Sequence, residues 1–392
     1  MSQTVVGSRL TWIDANRFYA ACGVVMIHCA TDAAGGPFSE YEMADRVAPA
    51  ILRALATISS SELFLLLSLF LIALKIDRRP LSYTSVILFQ IERLTVPLIV
   101  WSIFYAFFKL IKARDFGYEQ PLINQLHEWN SWVDYLLLGN AQYHLHFLPT
   151  MFFLVLFYPA MRAAIRWPAL ILVVLPMLYT MNWIQVWLWE RIDDPYTREY
   201  LVFMVKILGY TSYGIAAFAL YGIWKRSLGS EDCRHLFRFL LILALVAFLA
   251  KLTYIANSVL AGQWINNQGA SRFADLLLPI IVFSMFLMGQ HREWSSLYSR
   301  FAKLTYGVYL IHPAWIDAFD TVLKRSVSIQ IQHPIWIVLA KYMLVLPLSF
   351  ATVYLISKSR LTAWIVGVGP VPFLSKFISG RHLTHEKDIE SR

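Results

Sequence analysis

Arg17 and His28 have ten residues between them, in a run that is otherwise mostly apolar. If that run is a helix, eleven steps of about 100° return the two side chains to nearly one face, about 16 Å apart along the axis. An ionisable group inside a bilayer costs about 3 kcal/mol or more on insertion scales, so each one is a functional candidate. A stripe with a guanidinium near one end and an imidazole near the other suits a long ligand with an anionic head and a reactive tail. Arg17 would serve equally as an interfacial anchor and His28 as a packed ring. Asp32, one turn further, is placed to hold the tautomer of His28, as a carboxylate does in a catalytic triad. It also reads as a solvated charge in a loop of small residues.

Other apolar runs carry similar groups. Glu62 follows Ser59, Ser60 and Ser61 in the second run, where a mid-membrane carboxylate must pair or face a polar cavity. Arg93 stands four residues before Pro97 and fits either an interfacial anchor or a phosphate ligand. His144 and His146 open the fourth run. His312 lies inside the ninth, in Tyr309-Leu310-Ile311-His312-Pro313, and Pro313 frees a backbone carbonyl beside it.

These residues need helices to carry them. The 392-residue chain is 58% hydrophobic and only 15% charged, with a mean hydropathy of +0.54. That is too little charge to cover a soluble surface. The expected fold is all-α, a polytopic membrane protein with about ten spans of roughly 20 residues each. The stretches lie near 11–30, 50–73, 86–108, 144–162, 168–189, 200–222, 235–256, 273–290, 302–323 and 334–356. Residues 1–360 read as one transmembrane domain and 361–392 as a cytoplasmic tail. Three scattered cysteines make neither a disulfide framework nor a zinc site, and no metal is expected.

The net charge of +9 flanks the apolar runs in alternation, which argues for membrane topology and against nucleic acid. Basic segments such as Lys75, Arg78 and Arg79, or Lys376 and Arg381, alternate with acidic ones such as Asp32, Glu40, Glu42 and Asp45. By the positive-inside rule both termini are cytoplasmic. The segment with Lys109, Lys112 and Arg114 fits that rule poorly.

Five of these motifs, in order, resemble the membrane acyltransferase-3 family. The Arg17–His28 spacing, with Ile13-Asp14 before it, is similar to the family's opening signature. Glu62-Leu63-Phe64 through Ser68, Arg93 with Pro97, His144 through Leu148, and Tyr309 through Pro313 resemble its later motifs. Leu69 stands in place of a family glycine, His146 in place of tryptophan and Glu62 in place of aspartate. The resemblance implies an O-acyltransferase of the cytoplasmic (inner) membrane. Its donor would be acetyl-CoA or another acyl-CoA, and its acceptor a hydroxyl of a cell-surface or secreted polysaccharide or glycolipid. Partners would be membrane lipids and polysaccharide-synthesis proteins. Arg17 and Arg93 would take the CoA phosphates. His28 would be the general base, with Glu62 or Asp32 stabilising its imidazolium and His312 as an alternative base. His144, His146 and Tyr309 would line the substrate site. Two other classes stay open on the residues alone: a secondary transporter, and a non-catalytic partner of a polysaccharide-synthesis complex.

Overall fold

The computed structural model describes residues 10–59, 61–265, 267, 269–326 and 331–372. Ser60, Lys376, Arg381 and most of the expected tail lie outside the described residues. Among those described, every regular element is helical. α1 (Thr11–Cys29) leads through a loop to α2 (Met43–Ala56), a 3₁₀ turn (Thr57–Ser59) and α3 (Ser61–Arg78). α4 (Tyr83–Gln90) runs through a π-helical turn (Ile91–Thr95) into α5 (Val96–Phe116). Two short helices follow, α6 (Glu119–His127) and α7 (Trp129–Leu137). The broken segment α8 (Phe147–Leu156), α9 (Tyr158–Met161) and α10 (Ala163–Arg166) comes next. The chain continues with α11 (Val174–Arg191), α12 (Pro195–Lys225), α13 (Ser230–Ala261) and α14 (Gly269–Met288). It ends with the short α15 (Ser296–Ala302), then α16 (Thr305–Arg325) and α17 (Pro334–Ser357).

Among the described residues, seven helical stretches are long and apolar enough to cross a bilayer. An eighth is added if α8 and the segment after it, bent by 64°, form one span. The expected ten is therefore not reached by this measure. Each expected stretch does fall on a helix, but α1 and α16 are not apolar enough. α1 carries Asp14, Asn16, Arg17 and His28; α16 carries His312, Asp317 and Asp320. Their packing explains the composition. α1 is ringed by α2, α3, α14, α15, α16 and α17, and α16 by α1, α5 and α17. A helix enclosed by other helices has little contact with lipid and can carry polar groups. Peripheral α13 does the opposite, exposing Phe239, Leu241, Ile242, Leu245 and Leu249. In water such a surface would be an aggregation hazard, whereas lipid solvates it.

Close approaches set the helix positions around α1. A Cβ at Gly23 would lie 1.5 Å from Ser59 Oγ, so only glycine lets α1 meet the 3₁₀ turn below α2. α3 runs unbroken through Ser68 and Leu69, and Leu69 is fully buried in the core. The described part of the expected tail packs on the bundle. Ile365 O accepts the Trp101 indole N–H at 2.9 Å, and Val371 N donates to Glu92 Oε1 at 2.8 Å.

Candidate active site

Two cavities lie at opposite ends of α1 and α16. The first, about 320 Å³, is lined by the cations Arg17, Lys75, Arg93 and Lys303 and by the apolar Phe64, Leu67, Leu71, Phe147 and Met151. Each cation comes from a different element: the start of α1, the end of α3, the π-helical turn, and the residue just past α15. Pro97 explains part of the local geometry. It has no N–H for the carbonyl of residue 93, and that carbonyl instead accepts Tyr306 Oη at 3.2 Å. The π-helical turn that carries Arg93 thus ends where proline interrupts the helical ladder. Asp14 lies 4.0 Å from Arg17 and accepts Ser299 Oγ at 2.7 Å.

Tyr309 closes the inner end of this cavity. Behind it stand His144 and His312, with ring centroids 5.2 Å and 6.1 Å from Tyr309 and 5.4 Å from each other. All three are buried. Pro313 shapes this wall. With no N–H at position 313, the Tyr309 carbonyl loses its helical partner and takes His312 Nδ1 at 2.7 Å. The next carbonyl, Leu310 O, accepts Tyr105 Oη at 2.7 Å and His144 Nε2 at 3.2 Å. A carbonyl only accepts, so both histidine tautomers follow. His312 carries its proton on Nδ1 and His144 on Nε2. The opposite nitrogens, His312 Nε2 and His144 Nδ1, are buried with no hydrogen-bond partner among the described residues. Tyr309 Oη donates to His144 O, tying the wall together.

His28 stacks on the far side of His312 at 5.5 Å and lies 4.4 Å from the Tyr143 ring. It lines the second cavity, about 460 Å³, together with Asp32, Arg53, Lys109, Lys112, Asp317 and Asp320. Part of that lining belongs to a buried ionic network. Lys112 Nζ sits 2.9 Å from both Asp317 and Asp320, and Lys341 Nζ sits 2.7 Å from Asp320. Gln142 Nε2 donates to Asp317 at 2.9 Å, and Lys341 also donates to Thr31 O at 3.2 Å. The network holds both segments that flank His28: Thr31, whose hydroxyl donates to His28 O at 2.9 Å, and Gln142 beside Tyr143.

The structure thus brings Arg17, Arg93 and Tyr309 to one cavity, His28 and Asp32 to the other, and His144 and His312 between them. Asp32 Oδ1 accepts the N–H groups of Ala34 and Gly36 at 2.9 Å and 2.7 Å, which folds its own loop. The Glu62 carboxylate accepts Tyr210 Oη at 2.6 Å and Ser61 Oγ at 3.2 Å. His146 Nδ1 accepts Lys206 Nζ at 3.3 Å. Sequence reasoning missed Lys75 and Lys303 in the first cavity, Arg53 in the second, and the acids and Lys341 of the network. Asp317, Asp320 and Lys341 all lie within the expected spans, so the rule applied to Arg17 would have found them. Among the described residues, no group of three or more His, Cys, Asp or Glu is spaced to hold a metal ion.

A cation-lined cavity can hold a polyanionic head. Fixed imidazoles with free nitrogens can take a proton from a hydroxyl. The family model described as an acyltransferase domain matches residues 10–354. None of the curated proteins matches, and neither does any solved structure.

Proposed function

The chain belongs to the membrane acyltransferase-3 family, and we propose that it moves an acyl group, acetyl in the first instance, from acyl-CoA to an acceptor hydroxyl. The observation that carries this reading is the pair of cavities at opposite ends of α1 and α16, divided by Tyr309, His144 and His312. In this reading the CoA phosphates meet Arg17, Arg93, Lys75 and Lys303. The pantetheine arm runs along Phe64, Phe147 and Met151, and the thioester reaches the wall. The acceptor, a hydroxyl of a cell-surface or secreted polysaccharide or glycolipid, enters the His28 cavity. α1 and α16 cross the bilayer too, which brings the spans to ten. The Arg17 cavity faces the cytoplasm and the His28 cavity the outer side of the inner membrane.

His28, the histidine that lines the acceptor cavity, takes the hydroxyl proton as the oxygen attacks the thioester carbon. The C–S bond then breaks, and the thiolate takes the proton back from the imidazolium, giving ester and CoA-SH. Binding in two facing cavities supplies the orientation that makes the step effectively unimolecular. A second reading makes His312 the base, favoured by its locked tautomer and unpartnered Nε2. No step is assigned to Glu62 or Asp32, whose carboxylates are engaged elsewhere. His144 and Tyr309 shape the wall against the substrates, while His146 sits with Lys206. The test is turnover by the full-length protein in proteoliposomes, with acetyl-CoA supplied on one face and acceptor glycan on the other. Acceptor acetylation and CoA-SH release only from the Arg17 face support the reading. Acetyl-CoA left intact with every acceptor tried defeats it.

A further inference from the structure

The charges of the His28 cavity are unevenly paired, and their arrangement specifies the acceptor further. Six charged residues face it: Arg53, Lys109, Lys112, Asp32, Asp317 and Asp320. Asp317 and Asp320 are shared between Lys112 and Lys341, so two anions meet two cations. Asp32 keeps its charge, with Oδ1 held on the N–H groups of its own loop and no ion pair to Arg53 or Lys109 among the described residues. Arg53 and Lys109 remain.

Arg53 is held like a binding group. Its Nη1 donates to Ile27 O at 2.5 Å, next to His28 in sequence. Its guanidinium lies over the Trp264 ring at 4.7 Å, and the Trp264 indole N–H is itself fixed to Gly35 O at 2.8 Å. Clamped by one backbone bond and one aromatic face, Arg53 keeps its other donors without a protein partner among the described residues. A planar fork with a fixed position and free donors is pre-organised for a carboxylate or phosphate. Lys109 is steadied by the Tyr135 hydroxyl at 3.3 Å and has no carboxylate within ion-pair distance among the described residues.

We propose that the His28 cavity takes an acceptor that carries an anionic group near the hydroxyl to be acylated, with Arg53 as its principal ligand and Lys109 as a second. The shared chemistry is a carboxylate or phosphate on a glycan, either an acidic sugar or a phosphate-bearing one. The proposal rests on the acyl-transfer reading of this cavity and narrows its substrate class. Attraction to a held guanidinium also orients the sugar, bringing its hydroxyl to His28 in one pose rather than many.

The experiment uses full-length protein in lipid nanodiscs and three probes: methyl β-D-glucopyranoside, its 6-carboxylate (the methyl glucuronide), and glucose 6-phosphate. Saturation-transfer NMR would rank their affinities. At least one anionic probe should bind about tenfold or more tightly than the neutral glucoside, and the margin should shrink as salt is raised. The better of the two anions tells an acidic sugar from a phosphorylated one. Arg53→Gln should remove the margin, Lys109→Gln reduce it and Arg53→Lys keep part of it, all in protein that elutes as wild type and binds CoA. Equal binding of the neutral glucoside overturns the proposal, and so does an undiminished margin in Arg53→Gln. Failure of all three probes to bind, with CoA binding intact, removes the sugar-acceptor reading itself and this proposal with it.

Discussion

Replacing Pro313 with alanine should make the protein more stable and its key imidazole less well set. Proline in a helix interior is about 3 kcal/mol less favourable than alanine, though α16 already accommodates it, so the realised gain will be a fraction of that. The new N–H at 313 would compete with His312 Nδ1 for Tyr309 O, now 2.7 Å from the ring nitrogen, and leave the ring chiefly its longer contact to Val308 O at 3.2 Å. A net hydrogen bond of this kind contributes about 0.5–1.5 kcal/mol. Losing it lowers the ratio of Nδ1–H to Nε2–H rings by roughly two- to twelvefold. The variant should show a higher thermal midpoint, unchanged CoA affinity, and a shifted tautomer balance by ¹⁵N NMR of the histidine rings. If His312 is the base, turnover falls with the Nδ1–H population, by at most that factor; if His28 is, turnover holds while the tautomer moves. An unmoved tautomer in the alanine variant would falsify the argument that proline sets it.

Four further outcomes are expected. Arg17→Ala should weaken acyl-CoA binding by roughly ten- to 150-fold, from a lost charge-assisted contact of about 1.5–3 kcal/mol, with Arg17→Lys recovering part; CoA bound as tightly as by wild type would make Arg17 an anchor only. His28→Ala should cost about 10²–10⁴-fold in transfer per folded molecule while CoA affinity stays nearly intact, and substantial turnover by well-folded variant would remove His28 from the chemistry. Asp320→Asn strands buried Lys341 and should cost about 3–5 kcal/mol, read as lost monodisperse yield, with Lys341→Met in the same chain restoring part of it. Single cysteines at positions 40 and 193 on a cysteine-free background should label only from the outer face, and labelling from the cytoplasm would reverse the orientation.

Much of the site was legible because membrane burial makes polar residues conspicuous. Arg17, Arg93, His28 and His312 stood out in apolar runs, and helical spacing put Arg17 and His28 at opposite ends of α1, which the two cavities match. What could not be read were partners far apart in sequence. Nothing near Glu62 announces Tyr210, 148 residues away, which takes up one of its oxygens. Lys75 reads from sequence as a marker of loop orientation, yet it lines the Arg17 cavity together with Lys303. Apolarity also misleads at the centre: α1 and α16 fall short as membrane spans because neighbouring helices, not lipid, surround them.

The thinness of the wall between the cavities has an electrical consequence. With the two cavities open to opposite sides, as proposed, each would carry the potential of its own solution, and the transmembrane voltage would fall mainly across Tyr309, His144 and His312. One elementary charge moved through 100 mV is worth about 2.3 kcal/mol. If the proton leaves the hydroxyl and returns to the departing thiolate at the same point, no net charge crosses the wall. The reaction then runs at the same rate in a polarised or a depolarised membrane. A proton shed into one cavity and recovered from the other would instead be driven or opposed by the field. The packed rings would therefore act as an insulator that admits chemistry but not current.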